Sequence, residues 1–241
     1  DLKEHFQPHL KPDFNLDLLR SNNYICHFFV ASRDLIKRVG GFRPEFNGAQ
    51  DYDLILRCTE QAKQIVHIPK ILYHWRVHKA STADNPASKM YAFDAGKRAI
   101  EEHLVRCRTK GTVQHTKDLG FYRVKYEVCG EPLVSIIIPN KDQSEALKKC
   151  LDSIREKTSY RNYEIIIVEN NSEEPETFAF YKKIAGEKIK IVTWEGEFNY
   201  SAINNFGVRH ARGDYLLLLN NDVEIINGDW LTEMLSHCQR K

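Results

Sequence analysis

The chain has 241 residues, 42% hydrophobic and 28% charged, a globular composition sized for one large domain or two small ones. A formal charge of +2 argues against a nucleic-acid binder, which normally carries a basic stripe. No apolar run approaches the ~18 residues of a membrane span, and no signal peptide is visible. The six cysteines, at 26, 58, 107, 129, 150 and 238, have no CxxC spacing and read as reduced residues. The chain opens at Asp1 and stops at Lys241 inside a helical pattern, so it reads as a fragment.

Residues 1–20 are polar and irregular. Residues 24–30 read as a strand, and Ser32 then caps a short helix stopped by Gly40 and Gly41. A loop leads to a helix starting near Gln50, with Leu54, Ile55 and Cys58 at helical spacing. Short strands are expected at 64–68 and 71–75, divided by Pro69. Pro86 opens a helix to about Thr109, stopped by Gly111. Residues 112–132, ending at Pro132, read as a connector holding one or two strands.

The remainder has a cleaner rhythm. Strands are expected at 134–138, 164–168, 189–194 and 215–219. Between and after them come helices capped by Ser144, started by Pro175, capped by Ser201 and capped by Asp229. This alternation is the pattern of a parallel, doubly wound sheet. The run from Tyr215 to Leu219 reads as a strand buried on both faces.

In such sheets ligands bind beyond the carboxyl ends of the strands. Pro139 and Asn140 end the first of these strands, Glu169 and Asn170 the second, and Asn220, Asn221 and Asp222 the fourth. A carboxylate at such a tip can accept from a base N–H, asparagines can bond a ribose, and Asp222 is a hard oxygen ligand beside which a diphosphate would complete a cation's shell. The residues between Phe198 and Gly207, Asn205 among them, start a helix, where free N–H groups favour anions. Each of these segments is also ordinary turn or capping chemistry. Upstream, Gln50, Asp51, Tyr52 and Asp53 begin a helix. There a carboxylate is stabilised by the helix dipole, or serves as a general base toward a hydroxyl. His78 could ligate a metal and Arg76 could meet a phosphate, although a satisfied surface histidine is the commoner case. No GxGxxG, P-loop or GxSxG motif occurs.

Taken together, these segments resemble family 2 glycosyltransferases, enzymes of the GT-A fold that move a sugar from a nucleotide-sugar. Residues 133–241 resemble the amino-terminal, nucleotide-binding half of that fold. Residues 134–140 are similar to its first strand, 164–172 to its second strand with Glu169 as the acid recognising the base, and 202–215 to the helix before its metal motif. Asn220, Asn221 and Asp222 look like its DxD motif, with Asn in place of the first Asp. Residues 20–83 resemble the carboxyl-terminal, acceptor-side half. The segments 39–46 and 50–57 look like the stretch carrying the catalytic base, where Gln50 replaces the usual Glu and Asp51 is kept. Residues 73–82 are similar to the terminal strand and loop, where His78 would touch metal or diphosphate.

The resemblance implies an α/β fold of the GT-A type, a mostly parallel sheet flanked by helices, with its halves in reversed order. Residues 1–111 would be an acceptor-side half, 112–132 a connector and 133–241 a nucleotide-binding half. The implied activity is inverting, metal-assisted sugar transfer in bacterial surface polysaccharide or O-antigen synthesis. Asp51 would be the catalytic base. Pro139, Asn140, Glu169, Asn170, Asn205, Asn220 and Asn221 would hold the donor nucleotide, and Asp222 and His78 would hold Mg2+ or Mn2+. The implied partners are a nucleotide-diphospho-sugar, a glycan or lipid-linked glycan acceptor, and the missing halves of the two domains. The setting would be the cytoplasm or the inner face of the membrane. The expected arrangement is a window across two tandem transferase domains, inactive by itself; the alternatives are one circularly permuted domain or a non-catalytic nucleotide-binding or scaffold module.

Overall fold

The computed structural model describes residues 5–6, 8–74 and 90–240. The chain forms two compact units, Asp1–Glu127 and Val128–Lys241.

The first unit is helical. Helices α1 (Leu16–Ser21), α2 (Arg33–Val39), α3 (Gln50–Gln61) and α4 (Met90–Arg106) precede the strands β1 (Gly111–His115) and β2 (Tyr122–Tyr126). Ser32 caps α2 by accepting from the Leu35 amide, and Gly40 ends it in the left-handed conformation (φ 86°), as expected from sequence. Helix α4 ends earlier than expected. The Thr109 amide bonds the Leu104 carbonyl and the Arg108 amide bonds that of Val105, a Schellman closure with Arg108 at φ 53°. Gly111 begins β1 instead of stopping the helix. The core gathers Leu19, Phe46, Ile55, Leu56, Ala99, Ile100 and Leu104 with the inward face of β2. At Gly96 an added Cβ would lie 2.2 Å from the Tyr122 hydroxyl, so α4 and the hairpin meet closely only because that residue is glycine.

The strands expected at 24–30, at 64–68 and over the described part of 71–75 are irregular segments. Apolar content alone does not make a strand; the backbone N–H and C=O groups need a neighbouring ladder. Among the described residues of this unit, only β1 and β2 provide one, antiparallel to each other. Val66, Ile68, Ile71 and Leu72 are accordingly exposed. The stretch read as a connector contains most of the hairpin, which packs within the first unit.

The second unit holds the parallel sheet. Strands β3 (Val134–Asn140), β4 (Tyr163–Asn170), β5 (Ile189–Trp194) and β6 (Tyr215–Leu218) lie in the order β5-β4-β3-β6, all parallel. Helices α5 (Ser144–Lys157), α6 (Pro175–Ile184), α7 (Tyr200–Val208) and α8 (Trp230–Cys238) alternate with them. This is the α/β architecture expected, with helices flanking a parallel sheet. Every residue of β4 is buried, as an inner parallel strand requires. Helix α7 lies directly on the sheet, because a Cβ at Gly207 would come within 2.6 Å of Ile137 and 2.7 Å of Val168.

Two local expectations are corrected. Ser144 and Ser201 lie inside their helices. The residue before α5 is Gln143, in the left-handed region and without a side-chain bond, and the cap of α7 is Asn199, which accepts from the Ala202 amide. Strand β6 is not buried on both faces: among the described residues it is an edge strand, with Leu216 and Leu218 about half exposed at 49% and 52%.

Each unit is fastened by a buried carboxylate. In the second unit, Glu164 accepts from the Ser135 hydroxyl (2.7 Å), the Arg212 amide (2.7 Å) and Arg212 Nε (2.8 Å), tying β3, β4 and the approach to β6. In the first, Asp53 is fully buried between Arg43 and Arg57. Arg57 also donates to the carbonyls of Val39 and Gly41, binding α3 to the end of α2. Burial pushes the Asp53 carboxyl up, but the bonds from Arg43 and Arg57 outweigh it and hold the group below its ordinary range.

A depressed carboxyl stabilises the fold above its unfolded pKa and loses that contribution as the pH falls through the folded value. Asp53→Asn is therefore expected to cost about 3–5 kcal/mol at pH 7, since it leaves the buried Arg57 guanidinium without its anion, while Arg43 keeps Glu102 at 2.8 Å. Urea unfolding should show this gap shrinking as the pH drops below about 4. An equal gap at both pH values would contradict the pairing.

Candidate functional site

The carboxyl ends of β3, β4 and β6 converge on one polar network in the second unit. The β3–β4 register sets Asn140 opposite Glu169. Asn140 is buried; its Oδ1 accepts from Asn221 Nδ2 (2.6 Å), and its Nδ2 donates to the Tyr181 hydroxyl (2.7 Å) and the Asp142 carbonyl (2.7 Å). Glu169, also buried, accepts from the Ser172 amide (2.5 Å) and hydroxyl (2.7 Å). Ser172 Oγ in turn accepts from the Asp142 amide (2.8 Å), and Asp142 Oδ1 accepts from the amides of Glu173 and Glu174 (2.9 Å each). Asp142 and Asn171 stand in the left-handed region just past β3 and β4, φ 49° and 54°, so both chains turn sharply where the strands stop. Burial, with Glu169 alongside, pushes the Tyr181 hydroxyl well above its usual range, so it stays protonated.

The structure thus joins Asn140 and Asn221 directly and Glu169 through their neighbours. Pro139 and Asn170 hold the adjacent strand positions opposite Val168 and Trp194. The Asn220 side chain accepts from the Tyr200 hydroxyl (3.1 Å). Asp222 is exposed just beyond them. Asn205 sits on the exposed side of α7; its neighbour Asn204 faces inward, 5% exposed, with Nδ2 on the Tyr200 carbonyl and Oδ1 without a hydrogen-bond partner. Tyr181 and Tyr200 were not among the residues expected from sequence. Both are ordinary helix positions, and only the fold brings their hydroxyls to the strand ends.

The first unit builds a different site around Asp51. The first turn of α3 separates its two acids: Asp53 points into the ion pair with Arg43 and Arg57, while Asp51 lines a cavity of about 300 Å³. Cys26, His27, Phe28, Phe42 and Tyr73 are among the cavity's other walls. Asn23 Nδ2 donates to Asp51 Oδ2 (3.2 Å). Burial, then the bond to Asp51, pushes the Cys26 thiol up and keeps it protonated. No sequence signal pointed to Asn23, Cys26 or His27: the last two belong to a segment read as a strand, and Asn23 immediately precedes it. Arg76 and His78 lie outside the described residues.

As a candidate cation ligand, Asp222 is a single exposed carboxylate. Among the described residues it belongs to no group of three or more histidine, cysteine or carboxylate ligands. One oxygen ligand fits a cation only if a diphosphate supplies most of the remaining shell.

Known proteins share much of this chain. Residues 135–241 match the profile described as Glycosyl transferase family 2. The O-antigen biosynthesis protein RfbC of Myxococcus xanthus is 43% identical over 233 residues, covering 97% of this chain and 18% of that protein. The uncharacterized protein y4gI of Sinorhizobium fredii is 44% identical over 237 residues, covering 96% of this chain and 26% of its own. The chain therefore spans about a quarter or less of the length of these relatives. Both matches run through the two units in the same order. A mannosyltransferase from Pyrobaculum calidifontis, solved with GDP-Man and Mn2+, aligns with a TM-score of 0.42 at 18% identity, over 46% of this chain and 33% of its own. On the profile match, the second unit belongs to glycosyl transferase family 2.

Proposed function

We propose that the second unit is the donor-binding half of a glycosyltransferase that uses a nucleotide-diphospho-sugar, and that the first is the acceptor-side half of another such domain. The observation that carries this is the convergence of Asn140, Glu169, Asn220 and Asn221 at the carboxyl ends of parallel strands, inside the family-matched residues. The network is polar and largely preformed, and the exposed Asp222 stands beside it. Asn221 and Asn140 orient each other, and Glu169 is held by Ser172. A nucleotide entering here meets fixed amide and carboxylate groups, with little side-chain ordering left to complete.

The reading includes Mg2+ or Mn2+ held by Asp222 together with the donor diphosphate. Such an ion would offset the charge that develops as the nucleotide leaves. His78 is proposed as a further ligand on the resemblance alone. Asp51, facing its cavity, is proposed to take the proton from an acceptor hydroxyl as it attacks, with inversion at the sugar carbon. Asp51 and Asp222 belong to different compact units. On the tandem reading each serves a site completed by another half, and relatives several times longer leave room for those halves. The likeness to an O-antigen biosynthesis protein supports a bacterial surface glycan, or its lipid-linked precursor, as acceptor. A nucleotide-sugar donor favours the cytoplasm or the inner membrane face as the proposed setting; among the described residues no helix is long and apolar enough to cross a membrane. Gln50 and Asn220, standing where the family carries acids, favour a second reading, a nucleotide-binding module without catalysis. A single permuted domain is the third.

Two measurements separate these. UDP or GDP titrated calorimetrically into this chain with Mn2+ is expected to bind, and Asp222→Asn to weaken binding at least tenfold, about 1.4 kcal/mol. Absence of binding for both nucleotides would overturn the donor-half reading. In the longer protein, Asp51→Asn is expected to leave nucleotide binding unchanged and to lower turnover by about 10²–10⁴. Unchanged turnover would favour the non-catalytic module, and robust transfer by this chain alone would favour a permuted enzyme.

A further inference from the structure

Among the described residues, two groups of histidine, cysteine and carboxylate lie in the first unit, each with its donor atoms within 4.8 Å of one another. They differ in what surrounds them. In the group of Glu60, His103 and Cys107, the buried imidazole is fully engaged. Its Nδ1 meets Glu60 Oε1 at 2.6 Å, and its Nε2 accepts from Arg20 Nε at 3.1 Å. Arg106 also donates to Glu60, so two guanidiniums face any cation there. That group is a structural brace between α1, α3 and α4.

The group of Cys26, His27 and Asp51 lies on the wall of the 300 Å³ cavity. Cys26 Sγ is 2.7 Å from His27 Nδ1, and Asp51 completes the set from the first turn of α3. We infer that Cys26 Sγ, the His27 imidazole and the Asp51 carboxylate form a three-ligand site for a borderline divalent metal of the Zn2+ type, with a fourth position open to the cavity. Tetrahedral bonds of about 2.0–2.3 Å set neighbouring ligand atoms roughly 3.5 Å apart. The present separations, up to 4.8 Å, bracket that value, so the ligands close on an ion by small side-chain shifts. A thiol and an imidazole select against Mg2+ and Ca2+, which prefer oxygen. The supports sit one layer out. Asn23 orients the carboxylate from Oδ2. Lys11 Nζ bridges the carbonyls of Ile25 (2.6 Å) and His27 (2.5 Å), pinning the loop that carries both other ligands. The Lys11 ammonium opposes a cation here, while the thiolate and carboxylate supply two negative charges that match the ion. Binding releases the thiol proton to solvent. The carboxylate assigned as base would then be a metal ligand, so Zn2+ here would silence this unit's acceptor chemistry. The metal site itself does not depend on that assignment.

Co2+ titrated into the reduced chain reads the site directly. One equivalent is expected to give a thiolate-to-cobalt charge-transfer band with tetrahedral d–d absorption, both bleached by Zn2+. Cys26→Ser should abolish the charge-transfer band. His27→Ala and Asp51→Asn should each weaken Co2+ by more than the roughly 10–100-fold that losing an outer-shell partner costs. Cys107→Ser should change nothing. No charge-transfer band, a band surviving Cys26→Ser, or one lost in Cys107→Ser would overturn the site. If Cys26→Ser fails to fold by circular dichroism, His27→Ala, at an exposed position, decides: undiminished Co2+ affinity in that variant overturns it equally.

Discussion

Strand register governs the second unit. Ile137 on β3 pairs with Leu218 on β6, so Asn140 and Asn221, each three residues further along, arrive level with one another. The same strand pairs Asn140 with Glu169 on β4. Three chain segments far apart in sequence are thereby brought to one height by ladder bonds that run through an apolar interior. A one-residue slip would exchange the two buried faces of β3 as well as separate the tip residues. The packing that stabilises the sheet and the geometry that assembles the polar tip are one constraint.

The lower end of the sheet obeys the same logic with opposite chemistry. Glu164 gathers Ser135, Arg212 and, through Ser135, the Gly213 amide, so the entry to β6 is fixed before the strand begins. A pair of the buried Glu164 with the largely exposed Arg212 closes one end of the sheet, while uncharged amides, a phenol and a bound carboxylate furnish the other. Charge is spent on structure below and held ready for a ligand above.

What could be read in the residues follows from whether their partners are local. The alternation of strand and helix from residue 134 onward was legible because apolar spacing and helix-starting residues act within a few positions. The placement of Asn140, Glu169 and Asn221 at one end of the sheet, with Asp222 just beyond, was legible because each follows or ends an expected strand of a parallel sheet. Tyr181 and Tyr200 were not, since their hydroxyls reach the tip only through helix packing. The stretches 24–30 and 64–68 and the described part of 71–75 looked like strands by composition, but a strand needs a neighbour that sequence cannot supply. Asp51 and Asp53 looked alike in a helix's first turn; the Arg57 four residues after Asp53 was the one local hint that the second acid is structural. The exposed side of β6 was missed because four consecutive leucines look the same at a sheet's edge as at its centre.

That edge has a practical meaning for anyone handling the protein. Strand β6 offers an unpaired backbone ladder among the described residues, beside two half-exposed leucines, and such an edge is a template for another chain. Its brevity, four residues, limits how well a stray strand can bind. Concentrated samples should therefore associate weakly and reversibly, and a single lysine at position 216 or 218 would be the natural substitution for improving solubility without touching the polar tip.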